Sequence, residues 1–337
     1  MQGLKTQIKK YLKDKNALLV AHYYQKDEIV EIADITGDSL ELAKKASKSD
    51  KNLIIFCGVA FMGQSVKILS PHKKVIMPKL ACCSLAKMID EEYFKQSIEK
   101  ITQCGIAKED IFPIVYINSS AAVKAEVGKM GGVVCTSSNA DKIFDYAIQS
   151  NKKIFFLPDR CLGINLAKKK GLSFCILNKA DKKSILESQI LCYDGFCSIH
   201  QAFTTQDIEN YRKKYKDILI ITHPECDPSV VEKSDFVGST SQIIDFVKKL
   251  SPAQTIAIGT EFNLVNRLRK GSNNTFVLSS TPPICPTMNE TTLHDLLRVL
   301  EAMEGRSELF TMMNEVIVPQ ENIHYAKLAL DKMLDFA

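Results

Sequence analysis

The chain has 337 residues, of which 45% are hydrophobic and 25% charged, as in globular proteins of two or three domains. Its formal net charge is +5, and the lysines lie in short scattered runs without interleaved aromatic residues, which argues against a nucleic-acid-binding surface. No apolar run approaches the roughly 18 residues of a membrane span, and the N-terminus lacks the apolar centre of a signal peptide. We therefore expect a cytoplasmic protein without a membrane partner.

The first part of the chain predicts a repeating unit of strands and helices. An amphipathic N-terminal helix precedes a short apolar strand, and polar residues follow that strand directly. A hydroxyl residue then stands where a later helix begins, and the unit closes on a cysteine. The predicted elements are strand Ala17–Ala21, the polar residues His22 and Tyr24, helix Glu28–Ile35, the cap Ser39, helix Leu40–Ala46, strands Leu53–Cys57 and Lys74–Met77, and Cys83.

The same order of elements recurs twice along the chain. The second unit is predicted as strand Ile111–Ile117 with Tyr116 and Asn118, helix Ala121–Lys129, strand Val133–Cys135, cap Ser137, helix Ala140–Ile148, strands Lys153–Leu157 and Leu172–Leu177, and Cys197. The third is strand Ile218–Ile221, then His223 and Glu225, strand Asp235–Val237, cap Thr240, helix Gln242–Lys249, strands Gln254–Ile258 and Thr275–Leu278, and Cys285. A tail with helix Thr291–Met303, strand Glu315–Val318 and a last helix from about Glu321 to Leu334 is interpreted as structural, completing the layer of the first unit.

This layout indicates a triplicated α/β fold. Spacings of 61, 81 and 62 residues separate His22, Tyr116 and His223 from the closing cysteines, so the middle unit carries an insertion, assigned to its lysine-rich 179–187 segment. Strands that alternate with helices predict parallel sheets, whose sites form at the carboxyl ends of the strands. If the units meet around a pseudo-threefold axis, their polar residues, caps and cysteines converge.

Eleven cysteines in a chain of this size do not suggest a disulfide framework, and the reducing compartment that we expect argues against disulfide bonds. The sequence has no Cys-x-x-Cys motif, which argues against a zinc ribbon or a thioredoxin-like site. Cys57, Cys135 and Cys175 lie in apolar, strand-like runs and are interpreted as core residues. Three thiolates from Cys83, Cys197 and Cys285 would suit a [4Fe–4S] cluster with one iron free to act as a Lewis acid. Tetrahedral zinc with three thiolates and a water is the alternative occupant.

Other residues in these loops suggest binding and proton transfer. Hydroxyls at helix starts lie where backbone N–H groups collect anions, although ordinary N-capping also explains them. Histidines directly after buried strands occupy a common site position. Glu225 could shuttle protons if partial burial raises its pKa, and Tyr24 could do so if a neighbouring cation shifts the pKa of its phenol.

The ordered motifs resemble the quinolinate synthase family over roughly 270 residues. The matching segments are Ala21-His22-Tyr23-Tyr24-Gln25, Ile32-Ala33-Asp34, Gly37-Asp38-Ser39-Leu40, Phe56-Cys57-Gly58-Val59, Phe61-Met62, Cys83-Ser84-Leu85-Ala86, Tyr116-Ile117-Asn118, Cys135-Thr136-Ser137, Leu157-Pro158-Asp159, Gly195-Phe196-Cys197, His200, His223-Pro224-Glu225-Cys226, Gly238-Ser239-Thr240 and Cys285-Pro286.

The resemblance implies three αβα three-layer domains with short parallel sheets around a pseudo-threefold axis, and an active site at their junction. We place the domains at 1–90 plus 286–337, 91–190 and 191–285. The implied reaction condenses iminoaspartate with dihydroxyacetone phosphate to quinolinate, phosphate and two waters in NAD biosynthesis. Functional coupling to an aspartate-oxidising enzyme is a further expectation.

The resemblance also implies the roles of individual residues. Cys83, Cys197 and Cys285 would hold one [4Fe–4S] cluster, whose open iron would assist dehydration. Tyr24 and Glu225 would form the acid–base pair, with His22 as a further catalytic residue. The implied substrate-binding residues are His22, Ser39, Tyr116, Asn118, Ser137, His200, His223, Glu225, Ser239 and Thr240.

Two residues depart from the family pattern. Tyr23 stands where the family usually has Asn, and Cys82 where Gly is usual, so the choice of Cys83 as ligand rests on the Cys-Ser-Leu motif. The rival hypotheses are another cluster-dependent hydro-lyase acting on a small hydroxy-acid, a non-catalytic iron–sulfur sensor, and a zinc-stabilised scaffold.

Overall fold

The computed structural model describes residues 2–303 and 314–336, which form three all-parallel β-sheets flanked by helices. The first sheet has the strand order β2-β1-β3-β4. The elements of this unit are α1 (Gln2–Asp14), β1 (Ala17–His22), α2 (Asp27–Val30), β2 (Ile35–Gly37), α3 (Ser39–Lys48), β3 (Leu53–Cys57), α4 (Ala60–Leu69) and β4 (Lys74–Ile76).

The second sheet repeats this order with one strand more. Its order is β6-β5-β7-β9-β8, and the extra edge strand β8 is followed by the short helix α9, so the predicted insertion in the middle unit is confirmed. The elements are α5 (Glu91–Gln103), β5 (Ile111–Tyr116), α6 (Ala121–Lys129), β6 (Val133–Cys135), α7 (Ala140–Ile148), β7 (Lys153–Leu157), α8 (Arg160–Lys169), β8 (Phe174–Ile176), α9 (Lys182–Glu187) and β9 (Ile190–Cys192).

The third sheet has the order β11-β10-β12-β13, equivalent to the first. Its elements are α10 (Thr205–Lys214), β10 (Leu219–Thr222), α11 (Pro228–Glu232), β11 (Phe236–Val237), α12 (Thr240–Lys249), β12 (Ile256–Gly259), α13 (Phe262–Leu268) and β13 (Thr275–Val277). The tail adds α14 (Leu293–Ala302) and α15 (Gln320–Leu334).

Burial explains why these segments form strands. All residues of β1 and of β5 are buried, as expected for parallel strands covered by helices on both faces. Helices such as α3 and α12 turn an apolar stripe toward the sheets and leave lysines at their ends exposed. The prediction of a triplicated α/β fold with parallel sheets is confirmed.

The helix predicted over Glu28–Ile35 is wrong in its second half. α2 ends at Val30, and β2 begins at Ile35. The cause lies at Asp34, whose carboxylate accepts a hydrogen bond from Leu19 N at 2.8 Å while its own N–H donates to Leu19 O at 2.9 Å. This pair of bonds draws the chain beside β1. The third unit uses the same device, where Asp235 exchanges both bonds with Ile220.

The tail does not complete the first unit alone. α14 packs against α1, in the first unit, but α15 packs mainly against α6 and β6 of the second. The predicted strand Glu315–Val318 is reduced to a single antiparallel bridge between Ile76 and Glu315. The domain boundaries stay a prediction. Within the described residues, no helix combines the length and apolarity needed to cross a bilayer.

The contact between α6 and α15 depends on one glycine. A Cβ added to Gly128 would lie 2.0 Å from Tyr325 O, a backbone atom that moves only with its helix. We therefore predict that Gly128→Ala lowers the free energy of unfolding by about 1–3 kcal/mol, although alanine ordinarily favours helix.

Urea denaturation of Gly128→Ala and Gly3→Ala checks this. A Cβ at Gly3, near the start of α1, meets nothing within 4 Å, so that variant should be as stable as the parent or more so. Equal stability of both variants would contradict a close helix contact at Gly128.

Candidate functional site

The carboxyl ends of the three sheets face one cavity. His22 ends β1, Tyr116 ends β5, and His223 follows β10 directly. The cavity is lined by residues of all three units: His22, Tyr24, Asp38, Ser39, Val59, Phe61, Met62, Cys83, Tyr116, Asn118, Thr136, Ser137, Ser138, Cys197, Ile199, His200, His223, Glu225, Thr240, Glu261, Cys285, Thr287 and Met288.

This lining contains nearly all the residues selected from the sequence. Ser239 departs from the prediction, because it does not line the cavity. It lies one residue behind Thr240, and its hydroxyl accepts a hydrogen bond from Gln242 N at 3.3 Å as the N-cap of α12.

The prediction that Ser39, Ser137 and Thr240 are helix caps is wrong. Asp38 caps α3 through two backbone N–H groups, and Ser239 caps α12, so Ser39 and Thr240 are the first residues inside their helices. Asn139 stands at the cap position of α7, without a side-chain cap bond. Capping by the preceding residue leaves the Ser39 and Thr240 hydroxyls free to face the cavity.

Two buried histidines occupy equivalent places in the first and third units. Nδ1 of His22 accepts a hydrogen bond from Tyr24 N at 3.1 Å, and Nδ1 of His223 accepts one from Glu225 N at 3.3 Å. Burial, together with the neighbouring Arg267 for His22 and His200 for His223, lowers the pKa of each imidazole to about 3. Both rings are therefore neutral at pH 7, with Nε2 as the N–H donor.

Glu225 is a buried carboxylate with hydrogen bonds to both oxygens. Tyr116 Oη donates to Oε1, and His200 Nδ1 lies 2.9 Å from Oε2. Burial by itself would raise the pKa of Glu225, but the histidines His200 and His223 and the bond from Tyr116 lower it to about 2. The raised pKa that the sequence analysis set as a condition for proton transfer is therefore not found, because the site supplies donors to the ionised form.

A chain of hydrogen bonds joins Glu225 to Tyr24. Tyr24 Oη lies 2.8 Å from both Thr240 Oγ1 and Thr260 Oγ1, and Thr260 Oγ1 lies 3.1 Å from His200 Nε2. Burial raises the pKa of the Tyr24 phenol well above its ordinary value, against the lowering effect of the threonines. The phenol is therefore protonated at neutral pH. The two residues predicted as an acid–base pair are linked through His200.

The three predicted thiols reach this cavity from three different loops. Burial raises the pKa of Cys83 to about 12, and it raises the pKa values of Cys197 and Cys285 as well. The proximity of Cys285 to Cys83, and of Glu225 and Cys83 to Cys197, acts in the same direction. Cys82 is not part of the lining, so only one of the adjacent pair faces the cavity.

A different trio has the closest potential metal ligands. Among residues 2–303 and 314–336, the group whose ligand atoms all lie within 4.8 Å of one another is Cys197, His200 and Glu225. Both nitrogens of His200 and both oxygens of Glu225 already have hydrogen-bond partners. The proximity of His200 to Glu225 therefore follows from the hydrogen-bond network around Glu225.

Three residues that support the site were not selected from the sequence. Thr260 and Glu261 follow strand β12, so the rule that identified His22 and His223 would have found them. Glu261 caps α13 and accepts a hydrogen bond from Cys285 N at 3.3 Å; burial raises its pKa to about 7. The third, Lys124, lies buried in α6, where a lysine ordinarily looks solvated, and donates to Ile117 O at 2.8 Å and to Ser119 O beside Asn118.

The substitution at Tyr23 lies outside the cavity. Its side chain is directed to Glu41 of α3, and burial raises the pKa of the phenol to about 12, with a further contribution from Glu41. Tyr23 therefore contributes to a contact with α3, away from the cavity-lining face of His22.

Comparison with known proteins connects this site to a family. Residues 6–335 match the family model described as quinolinate synthetase A protein. The chain belongs to the quinolinate synthase family. Two Helicobacter pylori proteins named quinolinate synthase, from strains HPAG1 and ATCC 700392 / 26695, are 59% and 57% identical to it over 336 residues, with 99% of this chain and 98% of each relative covered.

More distant family members match over nearly the same length. A quinolinate synthase of Acidobacterium capsulatum is 37% identical over 336 residues, covering 95% of this chain and 89% of its own. These relatives are named as enzymes, and the resemblance noted from the motifs is confirmed. The family membership therefore extends over the entire repeated fold.

The neutral state of His22 predicts a pH dependence of stability. Because its pKa is about 3 when folded and about 6.5 when unfolded, the unfolded state binds more protons between these values, and stability falls as the pH falls through that window. Between pH 7 and pH 5 this residue should account for a loss of about 2 kcal/mol.

Anaerobic urea denaturation at the two pH values checks this. His22→Gln should lose about 2 kcal/mol less than the parent between pH 7 and pH 5, whereas His324→Gln, on the exposed face of α15, should match the parent. An unchanged pH dependence in His22→Gln would contradict a buried neutral imidazole.

Proposed function

We propose that this protein is a quinolinate synthase that condenses iminoaspartate with dihydroxyacetone phosphate and releases phosphate and two waters, as a step of NAD biosynthesis. The observation that carries the proposal is the meeting of three loop cysteines, two neutral histidines and an ionised carboxylate in one cavity. Family membership over residues 6–335 supports it.

The cysteines fit an iron–sulfur cluster. Three thiols whose pKa values are raised by burial are protonated at neutral pH, and metal binding would deprotonate them and offset the cost of burying three thiolates. Cys83, Cys197 and Cys285 come one from each unit's closing loop, so a cluster held there would also join the units. When bound by three cysteines, a [4Fe–4S] cluster supplies one open iron as a Lewis acid for dehydration.

A single zinc ion fits less well. Tetrahedral zinc with Zn–S bonds of ~2.3 Å needs sulfurs ~3.8 Å apart. Among the described residues, these three cysteines do not form a group with ligand atoms within 4.8 Å of one another. A polynuclear cluster does not need that spacing, because each of its cysteines binds a different iron.

The remaining cavity residues suit anionic substrates. His22 and His223 present Nε2–H donors without a charge that would need a counter-ion. Ser39, Ser137 and Thr240 add hydroxyls at or just before helix starts, where backbone dipoles favour carboxylate and phosphate groups. Asn118 adds an amide. These donors would bind and orient the two substrates.

Glu225 and Tyr24 take opposite roles in proton transfer. Glu225 is ionised and can accept a proton, but a pKa of about 2 makes it a weak base, so the proton must come from an acidic position of the bound intermediate. Tyr24 keeps its proton and can donate it to a leaving hydroxyl. His200 lies between them in the hydrogen-bond chain and orients both groups.

This cavity also weighs against the rival functions. A redox sensor needs no set of buried donors beside its metal, whereas this cavity has them from all three units. A hydro-lyase on a hydroxy-acid would share the donors, and product analysis separates it. Because iminoaspartate hydrolyses readily in water, we expect its supply to come from a nearby aspartate-oxidising enzyme.

Anaerobic purification followed by one assay tests the proposed function. The protein should contain about four irons and matching sulfide, and it should form quinolinate from iminoaspartate and dihydroxyacetone phosphate. Zinc-containing protein that stays inactive after anaerobic reconstitution with iron and sulfide would refute the proposal.

The adjacent cysteines provide a matched test of the cluster ligands. Cys83→Ala should lose the bound iron and its visible absorption, because Cys83 faces the cavity. Cys82→Ala and Cys175→Ala should keep both. Iron retained in Cys83→Ala, or lost in Cys82→Ala, would reverse the assignment; Cys197→Ala should behave like Cys83→Ala.

Replacing Glu225 should separate chemistry from cluster binding. We predict that Glu225→Gln lowers kcat by about 10²–10⁴-fold, since the amide cannot accept the proton. Its iron content and absorption spectrum should match the parent. Activity within a few-fold of the parent would exclude Glu225 as the base.

A further inference from the structure

One carboxylate joins the three units beside the cavity. Asp38, which lines the cavity from the first unit, has an oxygen Oδ2 that accepts hydrogen bonds from Ser138 Oγ of the second unit at 2.8 Å and from Ser241 Oγ of the third at 2.7 Å. Ser241 Oγ also lies 3.0 Å from Glu41 Oε2, so Asp38 and Glu41 of the first unit share its single proton. The three residues are 100 or more positions apart in the chain. Asp38 is buried, so these bonds are shielded from water.

All the acceptor sites of Asp38 are filled. Its other oxygen, Oδ1, accepts from Leu40 N and Glu41 N, each at 3.0 Å, as the cap of α3. A carboxylate offers about four lone-pair sites, and four donors occupy them here. Asp38 therefore has no lone pair left for a substrate proton, although it lines the cavity.

The partners of Asp38 adjoin the cavity hydroxyls. Ser138 follows Ser137, and Ser241 follows Thr240, whereas Asp38 itself precedes Ser39. Each cavity hydroxyl is thus next in sequence either to Asp38 or to a serine that bonds to Asp38. At the positions equivalent to Asp38, the other two units have Thr136 and Ser239, so only the first unit has a carboxylate there. The hydroxyls that bond to it come from the other two units.

A carboxylate facing an anion site would ordinarily weaken it by repulsion. Here two backbone N–H groups of α3 and two hydroxyls surround the charge, and the start of α3 lies against it. This arrangement lets the carboxylate hold the three units together without acting on the ligand directly.

We infer that Asp38 is a positioning residue that sets the spacing of the Ser39, Ser137 and Thr240 hydroxyls by holding Ser138 and Ser241. The inference rests on the proposed function only for the identity of the ligand, which is a dicarboxylate such as quinolinate. The hydrogen bonds of Asp38 to Ser138 and Ser241 are present in the protein without ligand.

Variants of the two serines test this while the bonds from Leu40 N and Glu41 N to Asp38 stay in place. In the cluster-containing protein, Ser138→Ala and Ser241→Ala combined should raise the Kd for quinolinate by about 10-fold, since bonds to a charged group are lost. KM should rise similarly with kcat changed by less than about twofold, because positioning acts on binding. Iron content should stay at the parent value.

Ser138 itself lines the cavity, so the loss of a direct ligand contact would weaken binding in the same way. Hydrogen exchange separates the two causes because it needs no ligand. Amides in the first turns of α7 and α12 should exchange about 10-fold faster in the double variant. Ser138→Thr with Ser241→Thr keeps both donors and should restore affinity and protection. Ser97→Ala, which removes an exposed hydroxyl bonded within α5, should match the parent.

Two results would overturn the inference. One is a double alanine variant with parental exchange and affinity, and the other is a threonine pair no better than the alanine pair. If the parent protein forms no quinolinate, the proposed function fails, and faster exchange in the alanine pair would still support the positioning role.

Discussion

Parallel strands carry their carboxyl ends to the same edge of a sheet, and in this protein three such edges face one another. A polar residue at the end of each of these strands, or directly after it, therefore lies in a common cavity. His22, Tyr116 and His223 lie there because β1, β5 and β10 end there. The loops that close each unit add one cysteine each. The site depends on this constraint before any single side chain contributes chemistry.

The buried polar groups of the site depend on one another for hydrogen bonds and for their protonation states. Glu225 stays ionised because Tyr116 and His200 donate to it, and His22 and His223 stay neutral because burial disfavours their charged forms. These bonds cross from unit to unit, so the protonation states of the site depend on correct assembly of the three sheets. A displaced unit would leave buried donors and acceptors without partners, which is costly.

The repeat, the parallel sheets and the cavity-facing cysteines were predictable because each follows from a pattern along the chain. The caps were not, because Asp38-Ser39 and Ser239-Thr240 both offer two capping residues in succession, and only the bonds to backbone N–H groups decide between them. The helix predicted through Ile35 failed because Asp34 bonds to Leu19, a contact 15 residues away. The burial of Lys124 could not be predicted, since nothing in a helical sequence distinguishes a buried lysine from a solvated one.

The central claim is that three sulfurs from three units bind one metal centre in this cavity. A crystal structure of anaerobically prepared protein, with anomalous diffraction recorded on both sides of the iron absorption edge, tests it most directly. We predict an iron peak within bonding distance of the sulfurs of Cys83, Cys197 and Cys285. Iron bound instead by Cys197, His200 and Glu225, or a cavity whose metal scatters at the zinc edge alone, would contradict the account.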